Sequence, residues 1–157
     1  MRSEHDAHDR ARCTGATPIL RVADLEASLR WYVARLAFRL DWQTPGVIAS
    51  VSRDAAHLML AQADQGLPGA WAYIGVTDAR RLHDELVALG ATIRLAPTNY
   101  PWALETHVQD PDGNVLRFGS DPIPGAPYGD WLDMRGTWWT PGEAGRWRRR
   151  DAHGTGA

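Results

Sequence analysis

The chain holds a single cysteine, Cys13, so no disulfide can form within it, and a reducing cytoplasm is the expected setting. No run of roughly 18 apolar residues occurs, which excludes a membrane-spanning helix. Met1–Arg12 does not read as a secretory signal: it mixes acidic and basic side chains with His5 and His8 and has no apolar stretch. The formal net charge is only -2, so no general basic field invites nucleic acid or an anionic membrane. G-x-S-x-G, G-x-G-x-x-G and the Walker loop are absent, and with them the usual nucleophile elbow and phosphate-binding loops. What is present is one domain's worth of chain, 157 residues with 44% hydrophobic side chains, and an excess of tryptophan: Trp 8. A buried indole needs a partner for its N–H, so this many rings point to an aromatic-walled groove or an aromatic interface.

Punctuation and periodicity divide the chain. Residues 1–15 are expected to be a disordered leader. Thr17–Val22 reads as a strand, and Asp24 caps a helix whose apolar stripe is Leu25, Leu29, Tyr32, Val33 and Leu36. Three short strands follow, near Arg39–Trp42, Val47–Ser52 and His57–Ala61, separated by Pro45-Gly46 and Arg53-Asp54. The order then repeats. Trp71–Val76 is a strand, Thr77 or Asp78 caps a helix with stripe Ala79, Leu82, Leu86 and Leu89, and Gly90 is placed to end it. Ala91–Leu95, Glu105–Gln109 and Val115–Phe118 are strands, the last two joined by the strong turn Asp110-Pro111-Asp112-Gly113. Val22-Ala23-Asp24 finds its counterpart in Val76-Thr77-Asp78, so the fold class is α+β with two βαβββ modules over residues 16–120. Residues 121–150 form a Pro/Gly- and Trp-rich extension expected to pack on the domain or on a dimer. Within it Gly136 and Pro141 forbid one continuous helix. Arg146 and Arg148–Arg150 read as a solvated charge run, and residues 151–157 as a disordered tail.

The stretches PILRVADLEASLRWYVARLAF, AWAYIGVTD and DPDGNVLRFG make the region from Thr17 to Ser120 resemble the vicinal-oxygen-chelate superfamily, also called glyoxalase/bleomycin resistance/dioxygenase. Asp41-Trp42, Val51-Ser52-Arg53-Asp54, Trp71-Ala72-Tyr73 and Tyr100-Pro101-Trp102 with Glu105 look closest to its bleomycin-binding resistance proteins. The resemblance implies curved mixed sheets whose concave face holds the site. It also implies a homodimer exchanging a strand or arm, with two grooves at its interface.

The superfamily's enzymes bind a divalent metal through four His, Glu or Gln side chains. The positions that correspond here are Thr17, Leu60, Trp71 and Arg117; a register shifted by one brings in Pro18 or Leu116, which are no better. No metal and no cofactor are therefore expected. His57 and His107 on strands, and His83 on a helix, read as surface or hydrogen-bonded histidines.

The resemblance leaves recognition to flat rings: Trp42, Trp71, Tyr73 and Trp102 as walls, with Asp41, Glu105 and Arg117 as charged groups at the same site. Stacking against such rings adds about 0.5–1.5 kcal/mol per pair beyond area burial, and a cationic tail would be drawn to ring faces and carboxylates. Two aromatics on alternate positions of one strand can equally be core, and Glu105 can simply hold the Trp102 loop. The expected function is sequestration of a bleomycin-like or other aromatic antibiotic, without nucleic acid or membrane as partner. The alternatives are a vicinal-oxygen-chelate enzyme acting on an unidentified natural product, or a sensor or carrier.

Overall fold

A computed structural model describes residues 13–133, 135–142 and 146–150; the expected leader up to Arg12 and the tail from Asp151 lie outside them. The first module runs β1 (Ile19–Val22), α1 (Leu25–Leu36), β2 (Arg39–Thr44), β3 (Ile48–Arg53) and β4 (Ala56–Gln62). The second runs β5 (Trp71–Gly75), α2 (Ala79–Ala88), β6 (Ile93–Asn99), β7 (Leu104–Gln109) and β8 (Val115–Ser120). Each makes one mixed four-stranded sheet, in the orders β1-β4-β3-β2 and β5-β8-β7-β6. The first strand of each module lies parallel to the last, and the other pairs are antiparallel. The two modules thus share one topology, as the internal repeat requires.

The helices begin where the sequence places their caps. The Asp24 carboxylate accepts from the Ala27 N–H at 2.9 Å, and Asp78 accepts from the N–H groups of Arg80 and Arg81. Gly90 follows α2 in the left-handed region at φ +73°. α1 ends instead on Ala37 at φ 54°, a conformation that costs an L-residue with a side chain. The buried stripe of α1 is Leu25, Ser28, Leu29, Tyr32 and Leu36; Val33 is 46% exposed and is not part of it. The apolar residues crowd that stretch of helix, so periodicity alone could not say on which flank the core ends.

Both helices pack on a single core with Leu20 and Val22 of β1, Ala49 and Val51 of β3, Leu58 and Leu60 of β4, Ala72 of β5, and Val108, Leu116 and Phe118. Because strand side chains alternate, Arg21, Ser50, Ser52, His57, Met59, Trp71, Tyr73, Glu105, His107 and Arg117 point to the opposite, helix-free face.

The Asp110–Gly113 turn does more than reverse the chain. Gly113 N–H closes it onto the Asp110 carbonyl, while the side chains reach back into the first module. Tyr32 Oη donates to the Asp110 carboxylate at 2.8 Å, Ser28 Oγ and the Ala23 N–H donate to Asp112, and Asn114 Nδ2 donates to the Arg21 carbonyl. Arg53 and Glu85 add an ion pair at 2.7 Å between β3 and α2.

Residues 121–130 form no regular element, and Trp131–Leu132 (β9), Trp138–Pro141 (β10) and Trp147–Arg149 (β11) build a small antiparallel sheet in the order β11-β10-β9. The end of the extension is therefore partly a strand: Arg148 and Arg149 sit in β11 as exposed residues, and Arg150 pairs with Asp130 at 3.0 Å.

Candidate ligand-binding site

Five of the seven residues expected at the site stand on the second module. Trp71 and Tyr73 alternate on β5, Arg117 lies beside Tyr73 on β8, Glu105 is on β7, and Trp102 sits in the turn before it. Their organising element is the Glu105 carboxylate, which is fully buried. It accepts from Trp102 Nε1 at 2.7 Å and from Arg117 through Nε at 3.1 Å and Nη2 at 2.8 Å, with His107 Nε2 at 2.8 Å. Burial alone would raise this carboxyl, but the hydrogen bonds from His107, Arg117 and Trp102, with the charge of Arg117, outweigh it and hold the pKa at about 2. An ionised carboxylate only accepts, so His107 Nε2 carries the proton of that contact. Burial lowers the pKa of His107, against the opposing pull of Glu105, and keeps the ring neutral at pH 7. Every oxygen of Glu105 thus faces this chain's own donors, and the carboxylate holds Trp102 and Arg117 in place.

The rings form a continuous layer. Tyr100 and Trp102 stack at 5.0 Å with 5° between their planes. Trp131, from the extension, stands edge-on or tilted to Trp71, Tyr100, Trp102 and His107 at 5.6 to 6.4 Å. The Arg117 guanidinium lies 4.7 Å from the Trp131 ring centre and 5.7 Å from that of Tyr73, and Arg94 sits 5.2 Å from Trp71. Tyr73 reaches across β8 into the space that a side chain at residue 119 would fill: a Cβ on Gly119 would stand 2.1 Å from the tyrosine oxygen. Tyr100 is buried, and burial first, then Glu105, pushes its hydroxyl up to about 12; it donates to the Asp130 carbonyl at 2.9 Å.

The other two expected residues, Asp41 and Trp42, are on β2 of the first module. The register of β2 against β3 shifts between Leu40 and Trp42, and this bulge turns the Asp41 carboxylate toward β3. There it accepts from Ser52 Oγ at 2.7 Å and Ser50 Oγ at 3.4 Å, with Arg39 Nε at 3.3 Å and His57 Nδ1 at 3.8 Å. Trp42 is the cross-strand neighbour of Ser50 and is 47% exposed. The seven residues therefore divide between two sheets. A separate cleft of about 770 Å³ lies between the β3–β4 turn, β5 and the start of α2; of the seven, only Tyr73 borders it.

Sequence reading did not single out Arg94 or Trp131 for this site, and Tyr100 entered only as the neighbour of Trp102. His107, expected as a surface or hydrogen-bonded strand histidine, is the hydrogen-bonded kind. Nothing in a two-residue strand of an irregular tail gives the destination of Trp131.

Residues 12–118 match the Glyoxalase/Bleomycin resistance protein/Dioxygenase superfamily, and the chain belongs to it. Among solved structures, the chain is similar to the bleomycin-binding protein from bleomycin-producing Streptomyces verticillus, solved with copper(II)-bleomycin. Identity is 26% over 71% of this chain and 98% of that one, with a TM-score of 0.62. It shares its fold with TioX from Micromonospora sp. ML1, at 20% identity over 68% of this chain and 98% of that one (TM-score 0.58). A glyoxalase/bleomycin resistance protein/dioxygenase from Nocardioides also shares the fold, at 20% identity over 80% and 95% (TM-score 0.58). No curated protein matches the chain.

The superfamily's metal positions fall, in this chain, on residues that the strand pairing identifies. Pairing places Met59 opposite Ile19 and Arg117 opposite Tyr73, so the first-module counterpart of Arg117 is Met59; Leu60, expected there, is fully buried on the helix side. A one-residue slip moves a strand side chain to the other face, which is why the spacing misplaced it. Thr17, Met59, Trp71 and Arg117 offer no carboxylate or imidazole, and the guanidinium repels a cation, so these residues do not fit a divalent metal. Among the described residues no group of three or more His, Cys, Asp or Glu is arranged to hold one, and no helix is long and apolar enough to cross a membrane.

Proposed function

We propose that this chain is a small-molecule binding protein that sequesters a flat aromatic antibiotic of the bleomycin type. One observation carries the reading: Trp71, Tyr73 and Trp102 stand with Arg117 on the helix-free face of a superfamily sheet whose metal positions hold groups unfit for a cation. Binding by ring stacking and cation–π contact then replaces coordination. Protection of a host needs only tight and sufficient binding, with no turnover. The likeness to a bleomycin-binding protein supports the ligand class.

The ligand groove is completed by a homodimer. The apolar surface such a dimer would cover includes Trp42, which is 47% exposed on the helix-free face of the first module. In such a dimer Asp41 and Trp42 of one copy face the rings of the other, and Asp41 serves a cationic tail. Glu105 acts by holding Trp102 and Arg117 rather than by touching the ligand.

Titrating bleomycin, with and without copper(II), against the purified protein by calorimetry tests this. Saturable binding at micromolar or lower Kd is expected, with Trp71→Ala and Trp102→Ala each weakening it by about tenfold. Heat changes no larger than those of dilution at high drug concentration would remove the drug reading.

A further inference from the structure

We propose that Trp131 is a built-in occupant of the aromatic site, and that an electron-rich bicyclic ring binds there by displacing it. This rests on the second-module rings being the ligand surface. The indole of Trp131 is itself flat, bicyclic and electron-rich. It sits among Trp71, Tyr100, Trp102 and His107, with the Arg117 guanidinium 4.7 Å from its centre. That is the environment such a ligand would need, and the chain fills it with its own side chain.

The segment that delivers Trp131 is fastened by the Tyr100 hydroxyl, which donates to the Asp130 carbonyl, and by Asn99 and its backbone. Asn99 Nδ2 donates to the Ile123 and Ala126 carbonyls, the Ile123 N–H donates to Asn99 Oδ1, and the Gly129 N–H donates to the Asn99 carbonyl. Gly129 lies so close to β6 that a Cβ there would come within 2.2 Å of Thr98 Cγ2. β9 itself holds two residues and pairs only with β10 of the extension, not with either main sheet. The extension can therefore lift away without breaking a ladder of the domain. Local openings of this kind cost far less than global unfolding.

The electrostatics select the competitor. Glu105 is paired with Arg117 and Asp130 with Arg150, and the guanidinium groups of Arg94 and Arg117 lie against Trp71 and against Trp131 and Tyr73. An electron-rich ring, neutral or with an anionic substituent, meets these guanidinium groups favourably. A closed Trp131 lowers the apparent affinity in proportion to the fraction of open protein.

The test titrates the full chain, Trp131→Ala and Gly129→Val with two ligands by calorimetry: 3-methylindole, which is the tryptophan side chain as a free molecule, and bleomycin. Gly129→Val keeps every ring and adds bulk where the segment meets Thr98 Cγ2, loosening its seat on β6, so it decides the matter if Trp131→Ala does not fold. 3-Methylindole is expected to bind both variants about tenfold tighter than the full chain. Equal affinity for Gly129→Val and the unaltered chain overturns the proposal, as does weaker bleomycin binding by both variants, which would make Trp131 a wall of the site. Bleomycin bound tighter by the variants supports occupancy and drug reading together. Bleomycin bound by none of the three, with the 3-methylindole pattern intact, sinks the drug reading and leaves Trp131 as the occupant.

Discussion

Arg117 grips Glu105 through two hydrogen bonds and sets its guanidinium carbon over the Trp131 ring, 4.7 Å from its centre. The pair is the joint between the sheet and the aromatic layer. Glu105→Gln keeps the shape but leaves Arg117 without its counter-charge above a buried amide. Removing one partner of a buried pair typically costs 3–5 kcal/mol; since Arg117 reaches solvent, about 3 kcal/mol is expected. Urea unfolding of the two proteins measures it, and a change below about 1 kcal/mol would show the pair to be dispensable.

The same carboxylate sets an acid limb. Its pKa is about 2 when folded, against 4.5 for the ordinary group. A depressed carboxyl gives stability that is fully present above 4.5 and is lost as pH falls through the folded value, up to about 3 kcal/mol. His107, lowered mainly by burial, works in the same direction: the unfolded chain takes up a proton first as pH falls below 6.5. The stability difference between the unaltered chain and Glu105→Gln, followed from pH 7 downward, is expected to shrink below pH 4.5. A constant difference would contradict the assignment.

Tyr32→Phe removes the hydroxyl that crosses from α1 to the Asp110 turn. Burial raises the Asp110 carboxyl, against the hydrogen bonds from Asn114 and Tyr32. Loss of one donor then costs about 1–3 kcal/mol in urea unfolding at pH 7. The sign of the Asp110 contribution is opposite to that of Glu105, because a raised carboxyl is a cost when ionised. The penalty of Tyr32→Phe is accordingly expected to ease as Asp110 protonates, which repeating the measurement toward acid checks.

Ala37→Gly is expected to stabilise the chain. Ala37 ends α1 at φ 54°, and its N–H donates to the Tyr32 carbonyl, so glycine keeps the contact and loses the strain. A gain of roughly 0.5–1 kcal/mol in thermal or urea unfolding is the outcome; a loss would mean that the Ala37 methyl packs usefully.

The two modules were legible in the sequence because short-range chemistry declares them. Asp24 and Asp78 cap, Gly90 terminates, and Asp110–Gly113 turns, each through contacts within a few residues. The aromatic site was half legible. Trp71 and Tyr73 alternate on a strand, and Glu105 stands three residues after Trp102, a spacing that matches the hydrogen bond between them. Its remaining parts come from afar: Trp131 arrives through an irregular segment, and His107 gains its role only from the Glu105 oxygens beside it. Leu60 and Val33 show the same limit from the other side. A one-residue slip in a strand, or a choice between two flanks of an apolar helix, leaves composition unchanged and reverses which way a side chain points.

The links from Tyr32 to Asp110, Ala23 to Asp112 and Arg21 to Asn114 join residues 78, 89 and 93 positions apart. Chain emerging from a ribosome must hold its first strand and helix for most of its length before these groups exist to meet. The half-made molecule is thus denied its clasp, and folding waits for closure of very long loops, which slows it. Separating the two halves as independent fragments removes the same clasp, so each is expected to need the other to become native.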